Sequence, residues 1–388
     1  MRDFTFCAPT EIIFGARAEE RAGEAVVKHG GSRVLLVYGG ESAKKSGLLT
    51  RVEKSLMMAG LTVKTLGGVQ PNPTLSFARK GVLLALTFQA DFILAVGGGS
   101  VIDTCKAIAH GAANPGTDIW EFWKRRAPLT RSMPVGVVLT IPAAGSETSD
   151  SAVLTNAEAG EKRGLNTPFN RPAFAILDPL LAATLPVHQV ACGVSDILMH
   201  TLDRYFNPVT DNARTDELAE ALLRVVLEYG PAAVRDAHDE TAMSEIMWAG
   251  SLSHNGLTGL GGRKDFATHQ LGHALSEKFD VYHGDSLTAV WSSWARSVMD
   301  EAPARFARFA RNVWHVEEAD DTAAALAGIA KQEAFFRSIG MPVRLGELSC
   351  GKQDEAGLAD LASRCSYGKT RTIGTFRVLD YESILAIY

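Results

Sequence analysis

The chain has 388 residues, is 46% hydrophobic and 21% charged, and carries a formal net charge of −5. That length favours two domains over one core, and the mild negative charge gives no electrostatic reason to expect nucleic acid or an anionic membrane as partner. No cationic start followed by an apolar run opens the sequence, no stretch approaches the ~20 apolar residues of a membrane span, and the five cysteines form no CxxC pair or disulfide framework. A reducing cytoplasm is the expected setting.

Strand-like and helix-like segments alternate through the first half. Residues 33–38 (RVLLVY), 92–96 (FILAV), 134–140 (PVGVVLT) and 174–177 (FAIL) are short apolar runs rich in β-branched residues, as buried parallel strands are. Between them, 48–59 and 74–88 have helical periodicity. Strand and helix in turn predict a parallel sheet wrapped by helices. The stretch ILDPLLAATLP at 176–186, with two prolines, reads as a boundary. After it, apolar residues recur at i, i+3 and i+4 over 213–229, 241–260, 302–313 and 321–339, so the second half is expected to be all-helical.

VGGGS at 96–100 joins a strand to a helix. Three glycines remove every Cβ from the turn, so backbone N–H groups can approach a pyrophosphate, and the helix adds its positive dipole end. The spacing is neither GxGxxG nor the Walker pattern, and a plain strand-to-helix turn has the same look. Gly39 and Gly40 close the strand 33–38, where a dinucleotide fold often meets the adenosine ribose.

Asp196 and His200 are four residues apart, as are His269 and His273. Four residues advance a helix by about 400° and about 6 Å, so each pair shares a face. His283 follows beside Gly284. One carboxylate with imidazoles suits a divalent ion such as Zn²⁺ or Fe²⁺, which could polarise a carbonyl or stabilise an alkoxide. Any single histidine is more often a packing or surface residue. The concentration is what counts: His200, His254, His269, His273 and His283 fall within one helical region.

These motifs, with YGGESAKKSG at 38–47, QPNP at 70–73, LAVGGGSVIDTCKAIA at 94–109, LTIPAAGSE at 139–147, FAILDP at 174–179, GVSDILMH at 193–200 and HQLGHALSEKFDVYHG at 269–284, resemble those of the iron-dependent (group III) alcohol dehydrogenases. Within that family the chain looks most like the bacterial NADPH-dependent aldehyde reductases of the butanol-dehydrogenase type. The resemblance implies an α/β dinucleotide-binding domain with a Rossmann-like parallel sheet (1–187), an all-α metal-binding domain (188–388), an active site in the cleft between them, and a homodimer. It implies a metal-dependent oxidoreductase that exchanges hydride between NAD(P)H and small to medium aldehydes or primary alcohols.

By the same resemblance Asp196, His200, His269 and His283 are the metal ligands, iron or zinc, and His273 is a nearby histidine that does not ligate. Gly97, Gly98, Gly99 and Ser100 match the pyrophosphate loop, and Asp103 lies near the nicotinamide end. Asn72, Thr140, Ser146, Lys162 and Leu181 fall where the family contacts the cofactor. Gly39, Gly40 and Ser42 occupy the loop that selects the coenzyme. Their small size leaves room for a 2′-phosphate, so NADP(H) is expected over NAD(H); Glu41 opposes this unless a neighbouring lysine pairs with it. Ala144 replaces a usual threonine, and 160–172 departs from the family pattern. A dehydroquinate-synthase-like lyase is the alternative in the same fold family. It needs a strongly basic pocket, whereas the histidine segments have few cations near them, Arg204, Arg263 and Lys264 among them.

Overall fold

The four apolar runs form neighbouring parallel strands. The computed structural model describes residues 3–209 and 211–388. Its strands are β1 (Glu11–Phe14), β2 (Arg33–Tyr38), β3 (Thr62–Gly67), β4 (Phe92–Gly97), β5 (Val135–Leu139), β6 (Ser151–Asn156), β7 (Glu161–Asn166) and β8 (Phe174–Leu177). Six make one sheet in the order β1-β8-β5-β4-β2-β3. Every pairing in it is parallel, with Val34 opposite Phe92, Ile93 opposite Val135 and Gly136 opposite Phe174. β6 and β7 form a separate antiparallel hairpin.

The helices of this region are α1 (Ala22–Lys28), α2 (Ser42–Lys45), α3 (Leu48–Met58), α4 (Leu75–Phe88), α5 (Gly99–Ala113) and α6 (Ile119–Trp123). The core runs through the strands: Val34, Leu36, Phe92, Leu94, Val96, Val138, Phe174 and Ile176 are buried together. From β2 the chain steps to β3 on one side, then crosses to β4 on the other. The gap beyond the carboxyl ends of β2 and β4 is therefore a topological switch point, where doubly wound sheets bind ligands. Gly39 and Gly40 follow β2 there, and Gly98 and Gly99 follow β4.

The remaining helices are α7 (Val187–Tyr205), α8 (Ala213–Arg235), α9 (Glu240–His254), α10 (Ala267–Phe279), α11 (His283–Val298), α12 (Pro303–Trp314), α13 (Asp321–Ser338), α14 (Glu355–Cys365) and α15 (Tyr381–Ile387). The segment read as one helix over 241–260 ends at His254; Asn255 and Gly256 (φ 101°) intervene before a 3-10 turn at Leu257–Gly259. The chain divides into two compact units, Cys7–Thr184 and Leu185–Tyr388, with the segment before Cys7 grouped with the second.

Within the helical unit α7 is buried from Gly193 to Tyr205 without a break. A helix hidden on all sides has no solvent face for polar side chains, yet Asp196, His200 and Asp203 lie on it. Such groups are tolerated only when paired or bound to an ion. α10 and α11 supply what faces them.

Candidate active site

Asp196 Oδ1 is the centre of the cluster. His200 Nε2 lies 3.3 Å from it, His269 Nε2 3.5 Å and His283 Nε2 3.8 Å. Ligand atoms about 2.1 Å from a tetrahedral ion stand roughly 3.4 Å apart, so the observed separations leave the right space for one ion. Asp196 Oδ1 and His269 Nε2 are buried with no hydrogen-bond partner, a costly state that a bound cation would relieve. The donor set, three imidazoles and one carboxylate, suits either zinc or iron.

Local structure places each group. Asp196 and His200 sit one turn apart in the middle of α7 rather than in a first turn, and His269 lies in the first turn of α10. His283 is the first residue of α11, beyond the end of the helix carrying His269. Gly284 fixes that start: a Cβ there would come within 2.6 Å of the Cys192 Cα on α7, so only glycine lets α11 begin against α7 and bring His283 to Asp196. His283 is the least buried of the four side chains, at 31% exposure, and marks the accessible side of the cluster. His273 stands beside it, its ring 5.6 Å from that of His283 and near parallel.

Two supporting residues received no role from the sequence. Asp203 accepts a 2.5 Å hydrogen bond from His269 Nδ1, which leaves His269 Nε2 to present its lone pair when a metal is bound. The signal was available: Asp196, His200 and Asp203 follow an i, i+4, i+7 pattern on one helix face. His254, at the end of α9, places its ring 3.9 Å from that of His200. Burial, with His254 and His269 close by, pushes His200 well below the usual imidazole range and keeps it neutral, as a ligand must be. Burial also opposes charge on His269, but the Asp196 and Asp203 carboxylates on either side outweigh it and raise it to about 9. Arg204 is buried, donates to the His200 carbonyl and lies over the Phe266 ring at 4.8 Å.

In the α/β unit β4 ends at Gly97 and α5 starts at Gly99. A Cβ on Gly97 would come 2.5 Å from Val101, and one on Gly98 3.0 Å from Ile141. Thr140, after β5, donates its backbone N–H to the Gly97 carbonyl. Asp103 accepts from Ser146 Oγ at 2.6 Å and from the Val153 N–H at 2.8 Å. Lys106, also unassigned from the sequence, lies wholly buried and donates to the Ser146 and Ser151 carbonyls at 2.7 Å. It ties the loop after β5 to α5; burial brings its ammonium down to about 8. Lys162 on β7 donates to Asn72 Oδ1 at 2.9 Å. Leu181 packs against the sheet core with Tyr38. Ser42 opens α2, and Glu41 before it pairs with Lys44 at 3.0 Å on the surface.

The combination of a glycine turn at a parallel-sheet switch point and a buried His₃Asp cluster on helices defines a class: metal-dependent, nucleotide-dependent oxidoreductases. Residues 9–179 match the family model for iron-containing alcohol dehydrogenase, and residues 189–388 match that for the C-terminal region of the same family. The chain belongs to the iron-containing alcohol dehydrogenases, and it is an oxidoreductase of the alcohol dehydrogenase and aldehyde reductase kind, using a divalent metal and NAD(P). It is 39% identical to the probable NADH-dependent butanol dehydrogenase 1 of Bacillus subtilis, across 100% of this chain and 99% of that one. It is 36% identical to the NADPH-dependent aldehyde reductase YqhD of Escherichia coli, across 89% of each. Among solved structures, that of the NADH-dependent butanol dehydrogenase A of Thermotoga maritima is 31% identical, with a TM-score of 0.95 covering 100% of this chain and 98% of that one.

Proposed function

We propose that the enzyme reduces small to medium aldehydes to primary alcohols, and the reverse, with NADP(H) preferred over NAD(H). The observation that carries this reading is the convergence of three imidazole nitrogens on one orphaned carboxylate oxygen, Asp196 Oδ1. Asp196, His200, His269 and His283 would hold an iron or zinc ion. When bound, that ion supplies Lewis acidity to a carbonyl oxygen. Gly97, Gly98, Gly99 and Ser100 present backbone N–H groups and the α5 dipole to the coenzyme pyrophosphate. Asp103, Thr140, Ser146 and Leu181 shape the nicotinamide side, and Asn72 and Lys162 the ribose side. His273, one turn from His269, holds or moves the proton that the alkoxide needs. The engagement of Arg204 with the His200 carbonyl and Phe266 leaves it unavailable to an anionic substrate, which disfavours sugar phosphates, keto acids and the lyase alternative. The domains divide near residue 187, and the enzyme works as a cytoplasmic homodimer; among the described residues no helix is long and apolar enough to cross a membrane.

Coenzyme choice rests on the loop after β2. Nothing in the protein lies within 4 Å of a Cβ built on Gly40, so the backbone there is open to a 2′-phosphate. NAD selection in dinucleotide folds uses a carboxylate at such a strand end; Glu41 is the candidate, but its pairing with Lys44 holds it on the surface. Steady-state kinetics on the metal-reconstituted enzyme, with a panel of aldehydes and both coenzymes, test the reading. kcat/KM should be higher with NADPH, Glu41→Gly should widen the ratio, and Gly39→Asp should shift it toward NADH. Equal or better use of NADH by the unaltered enzyme would refute the preference. His273→Ala should lower turnover and alter its pH profile with metal retained; an unchanged profile leaves His273 a packing residue.

A further inference from the structure

A second group of metal-ligating side chains lies on α7 and α11, its α7 members Cys192 and His188 one and two turns before Asp196. His188 and Cys192 are four residues apart on α7, and Asp285 is the third residue of α11. His188 Nε2 stands 3.1 Å from Asp285 Oδ2 and 3.6 Å from Cys192 Sγ, and Cys192 Sγ stands 4.0 Å from Asp285 Oδ1. One donor atom from each lies within 4.8 Å of the other two. None belongs to the Asp196 cluster.

Two readings compete for such a trio. A Cys–His–Asp catalytic relay uses the two ring nitrogens separately, one toward the thiol and one toward the carboxylate. Here both neighbours meet the same nitrogen, Nε2, which is the arrangement of groups sharing one ion. Burial, with Asp285 beside it, also pushes the Cys192 thiol well up, the wrong direction for a nucleophile. The spacing fits an ion. A tetrahedral zinc with sulfur at about 2.3 Å and nitrogen at about 2.1 Å sets those two atoms roughly 3.6 Å apart. The frame is rigid, because Gly284 packs directly on the Cys192 backbone and fixes where Asp285 stands. His188 is 42% exposed, so an ion there would have a route from solvent and room for water as a fourth ligand.

We propose that His188, Cys192 and Asp285 form an accessory site for a borderline-soft divalent cation such as Zn²⁺ or Co²⁺. A thiolate with an imidazole selects such ions over Mg²⁺ and Ca²⁺, which take oxygen. Binding releases the thiol proton as the Cys192 sulfur–metal bond forms, and no redox change occurs.

Cobalt titration of the reduced, metal-free enzyme tests this, with metal content measured alongside absorbance. The wild type should take up one Co²⁺ more per chain than Cys192→Ala, and should show a near-ultraviolet thiolate-to-cobalt band that Cys192→Ala lacks. His188→Ala should weaken the band. Asp196→Ala should lose the other ion and keep the band, so failure at the two sites is told apart. A band that survives in Cys192→Ala, or equal cobalt content with no band in the wild type, would overturn the site. Loss of the band in Asp196→Ala would mean that Cys192 serves the first cluster, which also overturns it.

Discussion

Asp196 supplies the only negative charge among the four converging groups, and its Oδ1 is buried without a hydrogen bond. Asp196→Ala, His269→Ala or His283→Ala should therefore remove metal and activity together, with the helical circular-dichroism signal little changed. Elemental analysis checks it: full metal content in His283→Ala would show that this residue, at 31% exposure, is not a ligand. Asp203 acts at one remove. Asp203→Asn should weaken metal retention against a chelator by roughly 10–100-fold, because a neutral amide holds the His269 Nδ1–H more weakly than the carboxylate that bonds it at 2.5 Å and no longer raises the basicity of Nε2. Unchanged retention would make the Asp203 carboxylate a packing feature. Spacing brought out Asp196 with His200 and His269 with His273, and the concentration of imidazoles added His283; the choice of ligands among them came from the family resemblance. Asp203 shares that period, but a carboxylate near a helix end has a commonplace surface reading that only its burial excludes. His254 offered no period at all. It reaches His200 from a separate helix, α9, through a tertiary contact.

At the scale of elements, β2, β4, β5 and β8 were legible because interior parallel strands are apolar on both faces. β3 was not: its sequence TVKTLG is largely exposed at the sheet edge and carries a lysine. The β6–β7 hairpin is likewise rich in polar residues, and β7 falls within the stretch 160–172 that offered no strand pattern. Helix α5, which carries the glycine turn, also carries a pH sensitivity. His110 is fully buried, bonded to Ser132 Oγ and Asn170 Oδ1 at 2.8 Å each. Burial depresses it from 6.5 to about 4. The native state thus holds this ring neutral while the unfolded chain protonates it below about 6.5. Its contribution is complete at neutral pH and lost as pH falls from about 6.5 to about 4, by about 3 kcal/mol at the outside. His110→Gln cannot titrate, so its urea midpoint should fall less than that of the wild type between pH 7 and pH 4.5. Parallel loss in both proteins would show that other groups govern acid unfolding.

At the scale of the whole molecule, each unit has its own buried core and its own candidate site. The glycine turn and its partners lie in Cys7–Thr184, and the His₃Asp cluster lies in Leu185–Tyr388. A ligand that binds only the folded form stabilises it by about 3 kcal/mol at a hundredfold excess over its Kd. For units of this size that is on the order of 5–10 °C in Tm. Scanning calorimetry of the metal-free enzyme, then with Zn²⁺ alone and with NADPH alone, separates the effects. If the units unfold independently, two transitions should appear, the metal raising one and the coenzyme the other. Asp196→Ala should reduce the metal-dependent rise, the Asp196→Ala, Cys192→Ala double variant should abolish it, and both should leave the coenzyme-dependent rise intact. The outcome that counts against this division is a metal effect that survives in the Asp196→Ala, Cys192→Ala double variant, because the cation would then be stabilising the chain through residues outside both clusters.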